Sequence, residues 1–177
     1  VGDSAFKKEE TEGLVMRGSI LALSRREKLG ALVKYLVHLW EVFARKQKHV
    51  VRSTWAGELF NQVDTVDIAL VLLGVWYEVT HGALDSAEQL AKMRLEGGYN
   101  LEYEQYTDCL SIFLAVSAEH VKTPAEKSTV HHAQWMRQVL DRGILTVLSW
   151  CDTRDMVADG LGKGVVDRTP LHQLMAG

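Results

Sequence analysis

Trp150-Cys-Asp-Thr-Arg-Asp-Met-Val-Ala-Asp-Gly-Leu-Gly-Lys163 is the stretch on which the reading of the fold turns. It follows an apolar run, Ile144-Leu-Thr-Val-Leu-Ser-Trp150, whose composition predicts a strand. Asp152 or Thr153 then offers an N-cap side chain, which predicts a short helix. Met156, Val157 and Leu161 give that helix an apolar side. Asp159 stands beside them near the helix end, where the helix dipole disfavours an anion. Taken alone, it reads as a solvated surface acid, because acids are mostly exposed. Three further acids in comparable contexts upstream change its weight.

The 177 residues predict a single domain with a core of useful size. A net charge of −3 argues against a protein that coats nucleic acid by charge alone, and leaves room for an enzyme with a local basic groove. Cys109 and Cys151 lack CxxC spacing, so they predict neither a zinc site nor a disulfide framework. A reducing, intracellular setting is the expectation. The longest apolar run, Ile68 to Trp76, is too short for a membrane span, so no membrane partner is expected. No signal peptide is visible. Val1-Gly-Asp-Ser-Ala-Phe6 has no initiator Met and reads like the tail of a strand, which predicts a fragment of a longer polypeptide.

Outward from the closing motif, the chain reads as alternating strands and helices. Residues 7–13 form a charged turn, and residues 14–23 a strand with Gly18 as a bulge. Residues 25–30 are polar and turn-like. Residues 31–43 predict a third strand, with helix as competitor because Leu32, Leu36 and Leu39 also fit helical spacing. Arg45-Lys-Gln-Lys48 is a basic turn. Ser53 or Thr54 caps a long helix to about residue 80, along which Trp55, Leu59, Val63, Val66, Leu70 and Leu73 make one stripe. Residues 85–96 form a second helix closed by Gly97-Gly98, and residues 99–107 a strand. Residues 111–118 form a short helix. Thr123-Pro124 starts another, which ends at Gly143. Residues 171–175 make a terminal helix. Early strands joined by turns and later strands joined by helices predict a mixed sheet, antiparallel and then parallel.

Four acids stand out along this order, each with a plain structural role as its competitor. Asp3, in Gly-Asp-Ser-Ala-Phe, lies in the first strand or in a turn at its end. Glu58, in Arg52-Ser-Thr-Trp-Ala-Gly-Glu58, lies in the first helical turns, roughly 90° from the centre of the apolar stripe. It therefore emerges at the core's rim, or simply pairs with the helix dipole. Asp108, in Tyr106-Thr-Asp-Cys-Leu-Ser111, follows a strand's C-terminal end, where open α/β sheets bind ligands. It is also an N-cap candidate. Asp159 completes the set, with Asp155 one helical turn earlier on the same face as its substitute.

The closing run Asp-Thr-Arg-Asp-Met-Val-Ala-Asp-Gly-Leu-Gly-Lys-Gly resembles the last motif of the ribonuclease H domain in copia-type retrotransposon polyproteins, Ala-Asp-x-Leu-Thr-Lys, with Gly162 in place of Thr. The resemblance extends to an Asp-x-x-Phe around Asp3, a Ser-Thr-x-Ala-Glu-like run at Glu58, and an Asp-Asn-x-Ser-like run at Asp108, where Cys109 replaces Asn. It covers about residues 1 to 168. It implies a ribonuclease H-like, mixed five-stranded sheet flanked by helices. The first strand would be truncated, and residues 169–177 would form a tail.

It further implies that Asp3, Glu58, Asp108 and Asp159 gather as catalytic metal ligands. Gathered acids repel unless a cation neutralises them. Oxygen-only donors suit Mg²⁺, with Mn²⁺ as substitute, and two such ions about 4 Å apart hold a phosphodiester between them. The implied activity is hydrolysis of the RNA strand of RNA–DNA hybrids. The implied partner besides the hybrid is the reverse transcriptase domain of the same polyprotein, in a cytoplasmic particle or the nucleus. The competing reading is a catalytically decayed nucleic-acid-binding module of the same fold. Arg45, Lys46, Lys48, Arg52 and Lys127, with Lys122, are candidates for phosphate contact. Ser111, Thr107 and Ser128 are candidates for sugar hydroxyls. Copia-type domains often carry Lys-His where Lys127-Ser128 stands here, and His131 and His132 lie nearby out of register. The five tryptophans are expected in the core.

Overall fold

Two β-layers lie against one long helix. The computed structural model describes residues 1–6, 15–29, 32–47, 51–84, 86–119, 124, 126–162 and 167–176. Strands β1 (Gly2–Phe6), β2 (Val15–Leu29) and β3 (Leu32–Lys46) form an antiparallel sheet in that order. Strands β4 (Glu104–Thr107) and β5 (Val147–Trp150) form a separate parallel pair. The chain is thus mixed α/β, antiparallel first and parallel later. Among the described residues no ladder joins β1 to β4, although the two strands touch, so the five-stranded sheet is not continuous.

The strand reading of residues 31–43 prevails over helix because β2 supplies a partner along the whole length, from Met16↔Lys46 to Leu29↔Leu32. Helical spacing of leucines carries no weight against a complete ladder with β-branched residues in it. Residues 25–29 do not turn, and residue 30 lies outside the described residues. β2 continues through them to Leu29, each residue paired with β3 as far as Leu29↔Leu32. The bulge falls at Leu21/Ala22, where Trp40 is the extra residue on β3, and not at Gly18. Gly18 serves a close approach instead: a Cβ there would lie 2.8 Å from Leu161 Cβ. Arg45 and Lys46 end β3 and do not form a turn; Lys48 lies outside the described residues.

Helix α1 (Thr54–His81) starts where Ser53 Oγ accepts the Ala56 amide at 3.1 Å. Leu59, Val63, Val66, Leu70 and Leu73 are buried as the stripe predicted, and Trp55 packs at the edge of the same core. By length and composition α1 is able to cross a membrane, which the apolar-run estimate missed. It is the core helix of this fold: 56% of its most apolar window is buried. Around it lie α2 (Ala87–Glu96), α3 (Leu110–Ser117) and α4 (Val130–Asp141), which contribute Met93, Ile112, Val116, Ala133, Met136 and Val139 to the core.

Helix α4 starts later than Thr123-Pro124 predicts. A single 3-10 turn, Lys127–Thr129, precedes it, and Thr129 Oγ1 bonds the Glu126 carbonyl at 2.6 Å. Gly143, at φ 69°, ends it as expected. Residues 144–146 turn into β5 without being strand: the Ile144 and Leu145 amides both return to the Val139 carbonyl.

The closing motif also breaks differently. Asp152 caps a 3-10 turn at Thr153–Asp155, and a separate short helix, α5 (Asp159–Gly162), follows. Asp159 therefore opens a helix, on the favourable side of the dipole, rather than ending one. Asp155 is not its neighbour one turn earlier on a common face. The terminal helix α6 (Thr169–Ala176) seats Leu171 against Gly160.

Candidate active site

The four acids sit on β1, α1, the end of β4 and α5. β1 and α5 contact each other, as do α1 and β1, and β1 and β4. The backbone places Asp3 opposite Gly18 on β2, and Gly18 lies under α5: a Cβ on it would meet Leu161 and come within 3.3 Å of the Ala158 carbonyl. The side chain of Asp3 lies outside the description.

Glu58 is buried, with 5% of its surface exposed, and both its carboxylate oxygens accept the Ser4 amide at 3.2 Å. The periodicity argument put it at the core's rim, and the rim is the edge of β1. Val1 and Ile20 exchange both backbone hydrogen bonds, so Val1, Asp3 and Ala5 point their backbone groups at β2. Gly2 and Ser4 point theirs away. The Ser4 amide meets Glu58, and the Gly2 carbonyl accepts Gln62 Nε2 at 2.9 Å. Glu58 and Gln62 are one turn apart on α1, so one helix face satisfies the outer edge of β1.

Asp108 does not cap α3. Cys109 holds that position and makes no side-chain cap hydrogen bond. The Asp108 peptide is fixed from both sides: Trp150 Nε1 donates to its carbonyl at 3.0 Å, and the Cys109 amide donates to Thr107 Oγ1 at 3.2 Å. Trp150 is thus not core, being 46% exposed, and it holds the strand-end acid in place. Its position at the end of a predicted strand parallel to β4 was the available signal. Thr107 is fully buried and committed to this turn, which removes it from the sugar-contact set. Asp159 is buried with 8% exposure and lines a cavity of about 420 Å³ with Met156, Asp167 and Leu171.

The two cysteines report the field of these acids. Burial raises the Cys109 thiol above its ordinary value, and the charges of Glu58 and Asp108 raise it further. Cys151 is pushed up to about 11, first by burial and then by Asp108, Asp155 and Asp152. Hydrogen bonds from Ser111 and Ile112 act against the rise at Cys109. Asp155 stands exposed on the 3-10 turn, and Asp152, its cap, is paired with the Arg154 guanidinium.

Among the described residues no three His, Cys, Asp or Glu side chains already stand close enough to hold an ion. Arg45, Lys46, Arg52, Ser111 and Lys127 are exposed, with the Arg45 guanidinium 4.4 Å from the Phe43 ring centre. Ser128 is exposed and bonds Glu126 Oε1, while Lys122 lies outside the described residues. His132 packs edge-on against Phe60 at 4.7 Å, and His131 is exposed. Comparison of the chain with protein-family models, with curated proteins and with solved structures returned no match.

Proposed function

We propose that the chain is a ribonuclease H-like, metal-dependent nuclease of retroelement origin, acting on the RNA strand of RNA–DNA hybrids. The observation that supports this reading is that β1, which bears Asp3, contacts α1, β4 and α5, the elements that carry or lead to the other three acids of the set.

The donors fit a hard divalent cation by chemistry, being carboxylates only. Acids near Cys109 and Cys151 add to the upward shift that burial gives both thiols, and a cation would relieve that part of it. Asp3, Glu58, Asp108 and Asp159 would hold Mg²⁺ or Mn²⁺, which supplies charge stabilisation to a phosphodiester and acidifies water. The protein's own part is orientation. Ser4 directs Glu58, Trp150 directs Asp108, and Gly18 lets α5 come down onto β2 beside Asp3. The exposed Arg45, Lys46, Arg52 and Lys127 provide cationic groups for phosphates, and Ser111 a hydroxyl for a sugar.

A binding module with decayed catalysis is the second reading. The engagement of Glu58 by the Ser4 amide favours it, because that carboxylate already has a structural use. Incubation of the chain with an end-labelled RNA–DNA hybrid separates the two. Cleavage of the RNA strand in Mg²⁺ or Mn²⁺, abolished by EDTA, is the expected outcome. Retention of hybrid with no cleavage in either ion selects the decayed module, and cleavage that persists in EDTA overturns the metal mechanism.

A further inference from the structure

Glutamines 62 and 105 are each fully buried, which is costly for an amide unless its hydrogen bonds are made. They make them to each other and to both β-layers. Gln62 Nε2 donates to the Gly2 carbonyl of β1 at 2.9 Å. Gln105 Nε2, from β4, donates to the Gln62 carbonyl at 3.2 Å and also to Gln62 Oε1. Tyr103 Oη closes the chain by donating to Gln105 Oε1 at 2.5 Å.

The relay stands where a sheet ladder is missing. Gly2 C=O and Ser4 N–H are the outward-facing groups of β1, the ones a neighbouring parallel strand would bond. β4 touches β1 without bonding it. Gln62 takes the carbonyl, Glu58 takes the amide, and Gln105 brings β4 to Gln62. Two strands that carry acids, β1 with Asp3 and β4 leading to Asp108, are therefore spaced by a side-chain amide rather than by backbone. Replacing both partners of a buried hydrogen bond by apolar side chains of similar shape costs little stability, whereas replacing one strands the other, so the network's value lies in the geometry it specifies as a unit.

We propose that Gln62, relayed through Gln105, is a positioning residue that sets the spacing of Asp3, Glu58 and Asp108. The inference rests on the metal-site reading of the preceding section. Met matches Gln in length and volume and makes no comparable hydrogen bonds, so Gln62→Met and Gln105→Met remove the relay with little change of packing. Mn²⁺ binding is measured by calorimetry on the full chain, alongside kcat and KM for hybrid cleavage. Each single variant should weaken Mn²⁺ about tenfold and lower kcat with KM for the hybrid nearly unchanged. The double variant should match the singles, as members of one network are non-additive.

Val139→Ala, a core truncation in α4, is the control: it should lower the melting temperature and leave Mn²⁺ affinity intact. Gln62→Met with wild-type affinity, or Val139→Ala with an equal loss of it, overturns the positioning role while the metal site stands. A wild-type chain that takes up no Mn²⁺ overturns the site itself, and the relay's purpose with it.

Discussion

At the residue scale Glu58 and Asp108 are held by different means. Glu58 is held by its carboxylate on a backbone amide, and Asp108 by its peptide between Trp150 and Thr107. Cys109 and not Asp108 holds the N-cap position of α3, and Asn caps as well as Asp, so Asp108→Asn tests charge. The Cys151 thiol gives a readout independent of catalysis. Its pKa is raised from 9.0 to about 11, by burial first and by Asp108 second. A thiol whose folded value exceeds its unfolded one keeps its proton longer when folded. Its contribution to stability is therefore intact below about pH 9 and is lost as pH rises toward 11. In a Cys109→Ser background, Asp108→Asn should shift the pH profile of Cys151 alkylation to lower pH, and saturating Mg²⁺ should do the same in the parent chain. An unmoved profile in both would mean that Asp108 and any bound ion lie too far from Cys151 to share a site with it.

At the element scale the decisive contacts are those that bring α5 and α1 onto the strands. Gly18→Ala places a methyl 2.8 Å from Leu161 Cβ, which is fixed directly to the α5 backbone, and 3.3 Å from the Ala158 backbone carbonyl, so neither neighbour is the far end of a flexible side chain. Overpacking of this kind costs about 1–3 kcal/mol. We expect Gly18→Ala to lower the denaturation midpoint by that amount and to weaken activity further, because α5 carries Asp159. A variant as stable as the parent would show that α5 does not sit on β2.

The sequence disclosed α1 almost to the residue, because a Ser53 cap and a continuous stripe are local signals. It disclosed the strand character of β3 only against a helical rival. The length of β2 and the location of its bulge depend on what β3 pairs with, and no local pattern carries that. The break of the closing motif into a 3-10 turn and α5 was also hidden. Met156 and Leu161 fit one helical face on paper, yet each packs from its own short element.

For the whole molecule, the coarse order of antiparallel and then parallel strands was readable from connection lengths. The gap between β1 and β4 was not, because Gln62 and Gln105 look like ordinary polar residues until their partners are known. The acids were readable as a set only through the resemblance of four short motifs. In the fold β1 contacts α1, β4 and α5, the elements that carry or lead to the other acids. That makes the central claim, an acid set acting with a divalent ion on an RNA–DNA hybrid, a matter of one comparison. Single-turnover cleavage of a labelled hybrid in Mg²⁺ is measured for the parent chain, Asp108→Asn and Asp155→Asn. The account predicts RNA-strand cleavage by the parent, a loss of orders of magnitude in Asp108→Asn, and near-parent rates in Asp155→Asn. Equal rates for the parent and Asp108→Asn, or loss confined to Asp155→Asn, would contradict it.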